Sequence, residues 1–197
     1  EYAIAPAAIA TFIGAYVESL GLFGITDGWW VYLAAYLVFI GIHIAGVGEA
    51  LKVMFVITAI AVLGLLIFAV AAVPLFDAAN LVDIAPTAAA GASPFLPFGY
   101  LGIWSAVPFA IWFYLAIEEL PLAAEESHDP KRDMPKGILY GLLTLIICAF
   151  LTLFLNAGIA PGAAAVGASD EPLFLAFETI FGGGVGTRFL ALIAVAG

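Results

Sequence analysis

Long uninterrupted apolar runs dominate this sequence. Four of them, at residues 29–45, 51–73, 100–117 and 137–158, have about the length that crosses the ~30 Å hydrocarbon layer of a bilayer as a helix. A fifth, at 2–22, is apolar apart from Glu18, and a sixth begins near Gly186. Apolar residues are continuous within the runs, whereas membrane strands alternate apolar and polar positions. The pattern predicts an all-α, polytopic membrane helical bundle with about five full spans and part of a sixth.

Composition supports a membrane setting. Hydrophobic residues make up 65% of the 197 residues and charged residues 10%, whereas soluble domains contain about 45–50% and about 25%. A globule of this size cannot hide so much apolar surface from water. We predict that residues 1–197 form a single membrane domain within the lipid bilayer. Because the sequence opens on Glu1 and stops inside an apolar run, we expect it to be an interior fragment of a longer protein.

The few basic residues predict the orientation of the spans. Lys52 lies between the second and third spans, and Lys131, Arg132 and Lys136 lie between the fourth and fifth. Basic residues favour cytoplasmic loops, and the opposite loops, at 21–28, 74–99 and 159–185, carry acidic residues and no basic ones. We therefore predict a multi-pass protein of the plasma membrane with these two basic loops in the cytoplasm. The net charge of −10 argues against nucleic acid as a partner.

The outer loop after residue 159 contains a helical pattern. Pro172 suits the first turn of a helix, and apolar residues follow at helical spacing before a run of glycines, at Leu173, Phe174, Phe177, Ile180 and Phe181. The pattern predicts a short amphipathic helix. Two interpretations stay open: an ordinary interfacial helix, or a lid that gates a pathway.

The stretch from Pro108 to Lys136 is the strongest candidate for chemistry. Glu118 and Glu119 directly follow an apolar run, and Pro108 and Pro121 bracket this end of it. A carboxylate at membrane depth costs about 2.5–3.5 kcal/mol and usually marks a site, and interrupted helices form the binding sites of secondary transporters. The alternative is a helix that ends at Ile117, with both glutamates in water.

Enzymatic and metal-dependent functions find little support. Neither Ser105 nor Ser127 has histidine and acid partners at a motif spacing, and Cys148 is the only cysteine. Carboxylates and an imidazole occur together in the loop that contains His128. They lie beside Lys131 and Arg132, so we predict a charge-paired loop rather than a metal site. We predict a protein that is not an enzyme and needs no metal or cofactor.

The same stretch resembles the sixth helix of the amino acid–polyamine–organocation permeases, and its variant is most similar to the ethanolamine permease branch. The matching residues are Trp112, Phe113, Glu118, Ala124, Glu125, Glu126, Asp129, Pro130, Arg132 and Pro135. The resemblance covers the whole sequence and implies roughly the third to the early eighth helix of that family. It implies a leucine-transporter-type fold of two inverted five-helix repeats, with substrate between the broken first and sixth helices.

The resemblance also implies site residues. Trp112 would be an aromatic gate over the substrate, the backbone of Leu115, Ala116 and Ile117 would be unwound, and Glu118 would couple the two half-helices or bind a cation. Ala116 stands where the family usually has glycine, which weakens the expectation of unwinding there.

Glu1 would lie near substrate level in the third helix and would suit an ammonium group together with Trp112. The alternative for Glu1 is pairing with a helix outside the sequence. Some proton-coupled members carry a lysine in the fifth helix in place of a sodium ion. Ala61 stands at that position here, so the resemblance implies that this coupling device is absent, and the coupling ion is not determined.

These observations predict a secondary active transporter of a small amine, with ethanolamine the first candidate, working by alternating access. An amino acid or polyamine antiporter of the same family is the nearest alternative. An alternative of another class is a non-transporting membrane subunit or sensor.

Overall fold

The computed structural model describes residues 5–19, 21, 24, 28–114, 117–169 and 171–195. Within these residues the chain is all-α and contains no strand. The helices are α1 (Ala5–Ser19), α2 (Trp29–Ala45), α3 (Val47–Ala72), α4 (Gly99–Trp112), α5 (Pro130–Gly158), α6 (Ala163–Ala168), α7 (Pro172–Phe181) and α8 (Val185–Val195). The predicted all-α class is therefore confirmed, and each predicted apolar run coincides with a helix.

The bounds of the helices differ from the runs in two instructive places. Helix α5 begins seven residues before the predicted span, because Pro130 lies in its first turn, where a backbone donor is not needed. Helix α4 ends at Trp112, five residues before the predicted end. Among the described residues, Gly48–Leu75 and Pro130–Gly158 are long and apolar enough to cross a membrane, and Trp29–Ile44, Gly99–Trp112 and Pro172–Phe181 are shorter apolar helices.

The chain forms two compact units, one from residues 1–66 and 180–197 and the other from residues 67–179. In the first unit α1 packs against α2, and the ring of Tyr32 covers Gly14 so closely that a methyl group there would overlap it. Gly46, with φ 128°, separates α2 from α3. In the first turn of α3, Glu49 and Lys52 form an ion pair at 2.7 Å.

The core of the second unit is small and includes two stacked rings. Phe68 of α3 and Phe177 of α7 are fully buried, with ring centroids 5.5 Å apart. Other buried apolar side chains of this unit come from the same helices and from the end of α5, at Ala69, Ala72, Leu155, Ile159 and Ala176. The predicted amphipathic helix is thus present as α7, and its apolar side meets this core. Gly182, with φ 76°, follows its last residue.

The segment between α3 and α4 is anchored to the end of α5. The carbonyl oxygen of Gly158 accepts hydrogen bonds from the Asp77 backbone N–H at 2.8 Å and from Asn80 Nδ2 at 3.1 Å. Asp83 Oδ1 accepts the backbone N–H of Ala164 at 2.9 Å. Short 3-10 turns at Val73–Leu75 and Ala78–Val82 place these side chains. Sequence analysis treated this segment only as an acidic outer loop and missed its anchoring.

Candidate functional site

The candidate site lies where α4 is interrupted. After Trp112 the backbone changes from i−4 to i−3 hydrogen bonding: the Phe113 N–H donates to the Ala110 carbonyl at 3.2 Å, and the Tyr114 N–H to that of Ile111 at 2.9 Å. A ten-residue 3-10 segment, Ile117–Glu126, follows. Runs of this geometry longer than three or four residues are uncommon. Helix α4 thus ends at Trp112 and 3-10 geometry follows. Unwound backbone at Leu115, Ala116 and Ile117 stays a prediction, because Leu115 and Ala116 lie outside the described residues.

The two prolines lie on either side of the change in geometry, as predicted, but neither lies at it. Pro108 lies inside α4, which continues regularly for four more residues, and Pro121 lies within the 3-10 segment. The loss of one backbone donor at Pro108 is therefore tolerated by this helix. The change of geometry begins instead where the apolar run approaches Glu118 and Glu119.

The predicted site residues fall on the edges of the interruption. Trp112 is the last residue of α4 and its side chain is 49% exposed, while Ile117 is half-buried at the start of the 3-10 segment. Glu118 belongs to that segment, and the position of its side chain lies outside what the structure describes. Leu115, Ala116 and Glu1 lie outside the described residues.

The end of α4 has chemistry that suits a cation. The C-terminal end of a helix carries the negative end of the helix dipole, although in α4 the Ala110 and Ile111 carbonyls already accept i−3 hydrogen bonds. In α4 this end coincides with aromatic side chains at Trp112, Phe113 and Tyr114. Carbonyl oxygens and aromatic faces are both groups that bind an ammonium ion.

An aromatic cavity adjoins the same end of α4, and sequence analysis did not predict it. It has a volume of about 320 Å³ and lies between α4 and α5. Four aromatic side chains, Phe109, Phe113, Tyr114 and Phe150, line it beside small alanines. The spacing of Phe109 and Phe113 already indicated one face of a helix, but only the packing of α5 adds Phe150.

Ser127, in the loop before α5, contacts the start of that helix. Ser127 Oγ lies 3.4 Å from Asp133 Oδ2, the donor in this contact being the hydroxyl. Lys131, Arg132 and Lys136 form no ion pair in the described part of the chain; Glu49 and Lys52 do. Nor does any group of three potential metal ligands assemble among the described residues. The side chains of Glu118, Glu119 and Glu126 lie outside what the structure describes, so the charge-paired loop stays a prediction.

A buried amide on α5 is a second feature that sequence analysis missed. Asn156 is 7% exposed, and its Oδ1 has no hydrogen-bond partner among the residues that the structure describes. An asparagine within an apolar span was the available signal, because polar side chains in such helices usually bind something.

Comparison with known proteins identifies the family. A family profile described as "Amino acid permease" matches residues 2–197. The chain belongs to the amino acid permease family. This places it in the amino acid–polyamine–organocation superfamily and agrees with a transporter in a membrane.

Three relatives show how far the similarity reaches. An uncharacterized transporter of Rhizobium meliloti is 36% identical over 108 residues, which cover 52% of this chain and 23% of that protein. The branched-chain amino acid permease BcaP of Bacillus subtilis is 31% identical over 86 residues, covering 44% and 18%. Cationic amino acid transporter 9, chloroplastic, of Arabidopsis thaliana is 29% identical over 109 residues, covering 53% and 18%. The matched segment spans about a fifth of these relatives, and no solved structure matches the chain.

Proposed function

We propose that the protein containing this chain is a secondary active transporter that carries a small amino compound across the plasma membrane by alternating access. The observation that carries this proposal is the interruption after Trp112, followed by the 3-10 segment that contains Glu118 and Glu119. Interrupted helices with exposed backbone groups form the substrate sites of secondary transporters near the middle of the bilayer. Family membership agrees with this use of the segment.

In this proposal each residue of the site has a distinct role. The indole of Trp112 closes over the substrate, and the backbone of Leu115, Ala116 and Ile117 supplies carbonyl oxygens. Glu118 couples the two parts of the interrupted helix or binds the driving cation. Glu1 contributes a carboxylate for the ammonium group of the substrate. The fold would be the leucine-transporter type, with the chain as part of one membrane domain.

Ethanolamine is the first substrate candidate. Its ammonium group would bind between the carboxylates and the aromatic end of α4, where carbonyls and rings supply acceptors without a positive counter-charge. The motif from Trp112 to Glu126 resembles the ethanolamine permease branch, and this likeness supports the choice.

Amino acids are the second candidate, because two of the relatives carry them by name. One is named a branched-chain amino acid permease and another a cationic amino acid transporter. An amino acid would require an additional group that binds the substrate carboxylate, such as a helix N-terminus.

The test is uptake of labelled ethanolamine by the full-length protein in proteoliposomes. Unlabelled ethanolamine, isoleucine, arginine and putrescine serve as competitors, under sodium and proton gradients in turn. Saturable uptake that only ethanolamine competes with supports the first candidate, and uptake competed by isoleucine or arginine replaces it with the second.

Glu118→Gln and Glu125→Gln form a matched pair for this assay. Both remove one carboxylate from the 3-10 segment, but Glu125 is exposed near its end. We expect Glu118→Gln to abolish uptake and Glu125→Gln to change it less than about threefold, since an exposed charge interacts weakly. Equal uptake by wild type and Glu118→Gln would refute the proposed site, and the absence of uptake under every gradient would favour a subunit or sensor.

A further inference from the structure

One face of α5 combines two cations with a long exposed apolar surface. At 3.6 residues per turn, six residues fall within about 80° of one another around the helix axis. We call this face the α5 stripe; its members are Arg132, Lys136, Leu139, Leu143, Ile147 and Phe150. All six are exposed. The four apolar members are each at least half exposed, at 63%, 52%, 50% and 53%.

The α5 stripe begins with two cations. Neither Arg132 nor Lys136 makes an ion pair or a side-chain hydrogen bond with the described part of the chain. They are four residues apart, so their side chains emerge as neighbours on one helix face. Acidic residues occur nearby, but Asp133 lies about 100° around the axis from Arg132 and contacts Ser127 Oγ at 3.4 Å. Asp129 precedes the helix as its N-cap residue, and Glu125 belongs to the preceding 3-10 segment.

The apolar members of the α5 stripe match one leaflet in length. Leu139 to Phe150 covers eleven rises of about 1.5 Å, or roughly 17 Å, which is close to half of the ~30 Å hydrocarbon layer. The cations lie immediately before Leu139, at the end of the helix where a headgroup of that leaflet would lie. A phosphate group there would be within reach of both basic side chains, and clusters of this kind bind anionic headgroups.

We propose that the α5 stripe binds an anionic phospholipid of the cytoplasmic leaflet. Arg132 and Lys136 hold its phosphate group, and an acyl chain lies along Leu139, Leu143, Ile147 and Phe150. Charge complementarity selects an anionic lipid over a zwitterionic one, and the apolar length selects a lipid over a soluble phosphate. The proposal rests on family membership and not on the identity of the transported substrate, so it is independent of the ethanolamine assignment.

The experiment uses the full-length protein in nanodiscs of phosphatidylcholine, alone or mixed with phosphatidylglycerol. The preference for phosphatidylglycerol is measured by native mass spectrometry of retained lipids, and the melting temperature is measured in both compositions. The test variant is Arg132→Gln with Lys136→Gln, and the charge-retaining variant is Arg132→Lys with Lys136→Arg. Lys131→Gln is the matched control, because Lys131 is exposed but lies about 100° from Arg132.

We expect the wild-type protein to prefer phosphatidylglycerol and to melt higher in its presence. Each removed charge should lower the preference about fivefold, and both together about 25-fold. The charge-retaining variant should keep the preference within about threefold, and Lys131→Gln within about twofold. Inorganic phosphate should neither displace the lipid nor raise the melting temperature.

Several results would overturn the proposal. The first is that the wild-type protein shows no preference for phosphatidylglycerol, and the second is that the double variant keeps the wild-type preference. The third is that Lys131→Gln lowers the preference as much as the double variant does. Displacement of the lipid by inorganic phosphate would indicate an anion site without a lipid. If the double variant does not fold, the single variant Lys136→Gln is measured instead. An unchanged preference for phosphatidylglycerol in that variant would also overturn the proposal.

Discussion

Helices α4 and α5 both contain proline, yet only the region after α4 is interrupted. Helix α5 continues for 29 residues with Pro130 in its first turn and Pro135 one turn later. Helix α4 accommodates Pro108 in its interior and then ends at Trp112, without proline at its last residues. Pro130 costs little, because the first backbone donors of a helix have no partner in any case, whereas Pro135 and Pro108 lie inside their helices. The comparison shows that proline does not explain where helical geometry is lost in this chain.

What separates the two regions is the polarity of the residues that follow. The apolar run of α4 meets Glu118 and Glu119, and the chain continues as a 3-10 segment. Helix α5 meets no charged residue between Lys136 and Gly158. A charged side chain in hydrocarbon is costly, so an interruption close to charged residues lets them approach water or a cation. This contrast leads to four predictions, taken from the largest expected effect to the smallest.

Introducing a proline into the middle of α5 should have the largest effect. Ala149→Pro would remove a backbone hydrogen bond and clash with the preceding turn, at a cost of about 3 kcal/mol or more. We expect little folded protein after detergent extraction, measured by fluorescence size-exclusion chromatography. Pro135→Ala is the control and should leave the yield unchanged. A normal yield of Ala149→Pro would mean that α5 does not need to be continuous.

Gly99, at the start of α4, should be irreplaceable. Its φ is 63°, and a Cβ there would overlap the carbonyl oxygen of Ala90. We expect Gly99→Ala to lower stability by more than about 2 kcal/mol, measured as a fall in melting temperature. In α5, Gly137 has nothing within 4 Å of its Cβ position. Gly137→Ala should therefore be neutral or stabilise by about 0.5–1 kcal/mol. Equal melting temperatures for the two variants would contradict the geometry at Gly99.

Removing the indole at the interruption should impair transport more than removing one earlier in α4. Trp112 lies at the interruption, whereas Trp104 lies two turns before it and is 75% exposed. We expect Trp112→Ala to lower kcat/KM for uptake by about tenfold, equal to about 1.4 kcal/mol. Trp104→Ala should change it less than twofold. An equal loss of kcat/KM in both variants would mean that Trp112 has no specific role in the substrate site.

The smallest expected effect concerns the anchor between the outer segment and α5. Asn80→Ala removes the hydrogen bond to the Gly158 carbonyl, which still accepts the Asp77 N–H. The cost should be about 0.5–1.5 kcal/mol, seen as faster amide exchange in residues 77–83. Thr179→Ala is the control, since its hydroxyl bonds only within its own helix, to Leu175. Unchanged exchange in Asn80→Ala would mean that the backbone hydrogen bond suffices.

Much of the helical layout was predictable, because an apolar run long enough to cross the membrane has few conformations other than a helix in lipid. The bounds of α2, the start of α7 at Pro172 and the interruption after α4 follow from local sequence. The candidate site was predicted only as a segment: Trp112 and Ile117 lie at its edges, and no contact among the six predicted residues is described. The cavity beside Phe113 was not predicted, nor was the buried Asn156, whose Oδ1 has no partner among the described residues.

The sequence by itself thus determined that the chain lies in a lipid bilayer, that it is all-helical, and where charged residues follow an apolar run. These depend on the free energy of moving side chains and backbone groups into lipid, which each segment settles locally. Tertiary structure decided that Asn80 meets Gly158, that Phe150 joins Phe109 at one cavity, and which side chains of α5 stay exposed. Those contacts join residues that are far apart in the chain, and their selection depends on the packing of whole helices rather than on the preference of any one segment.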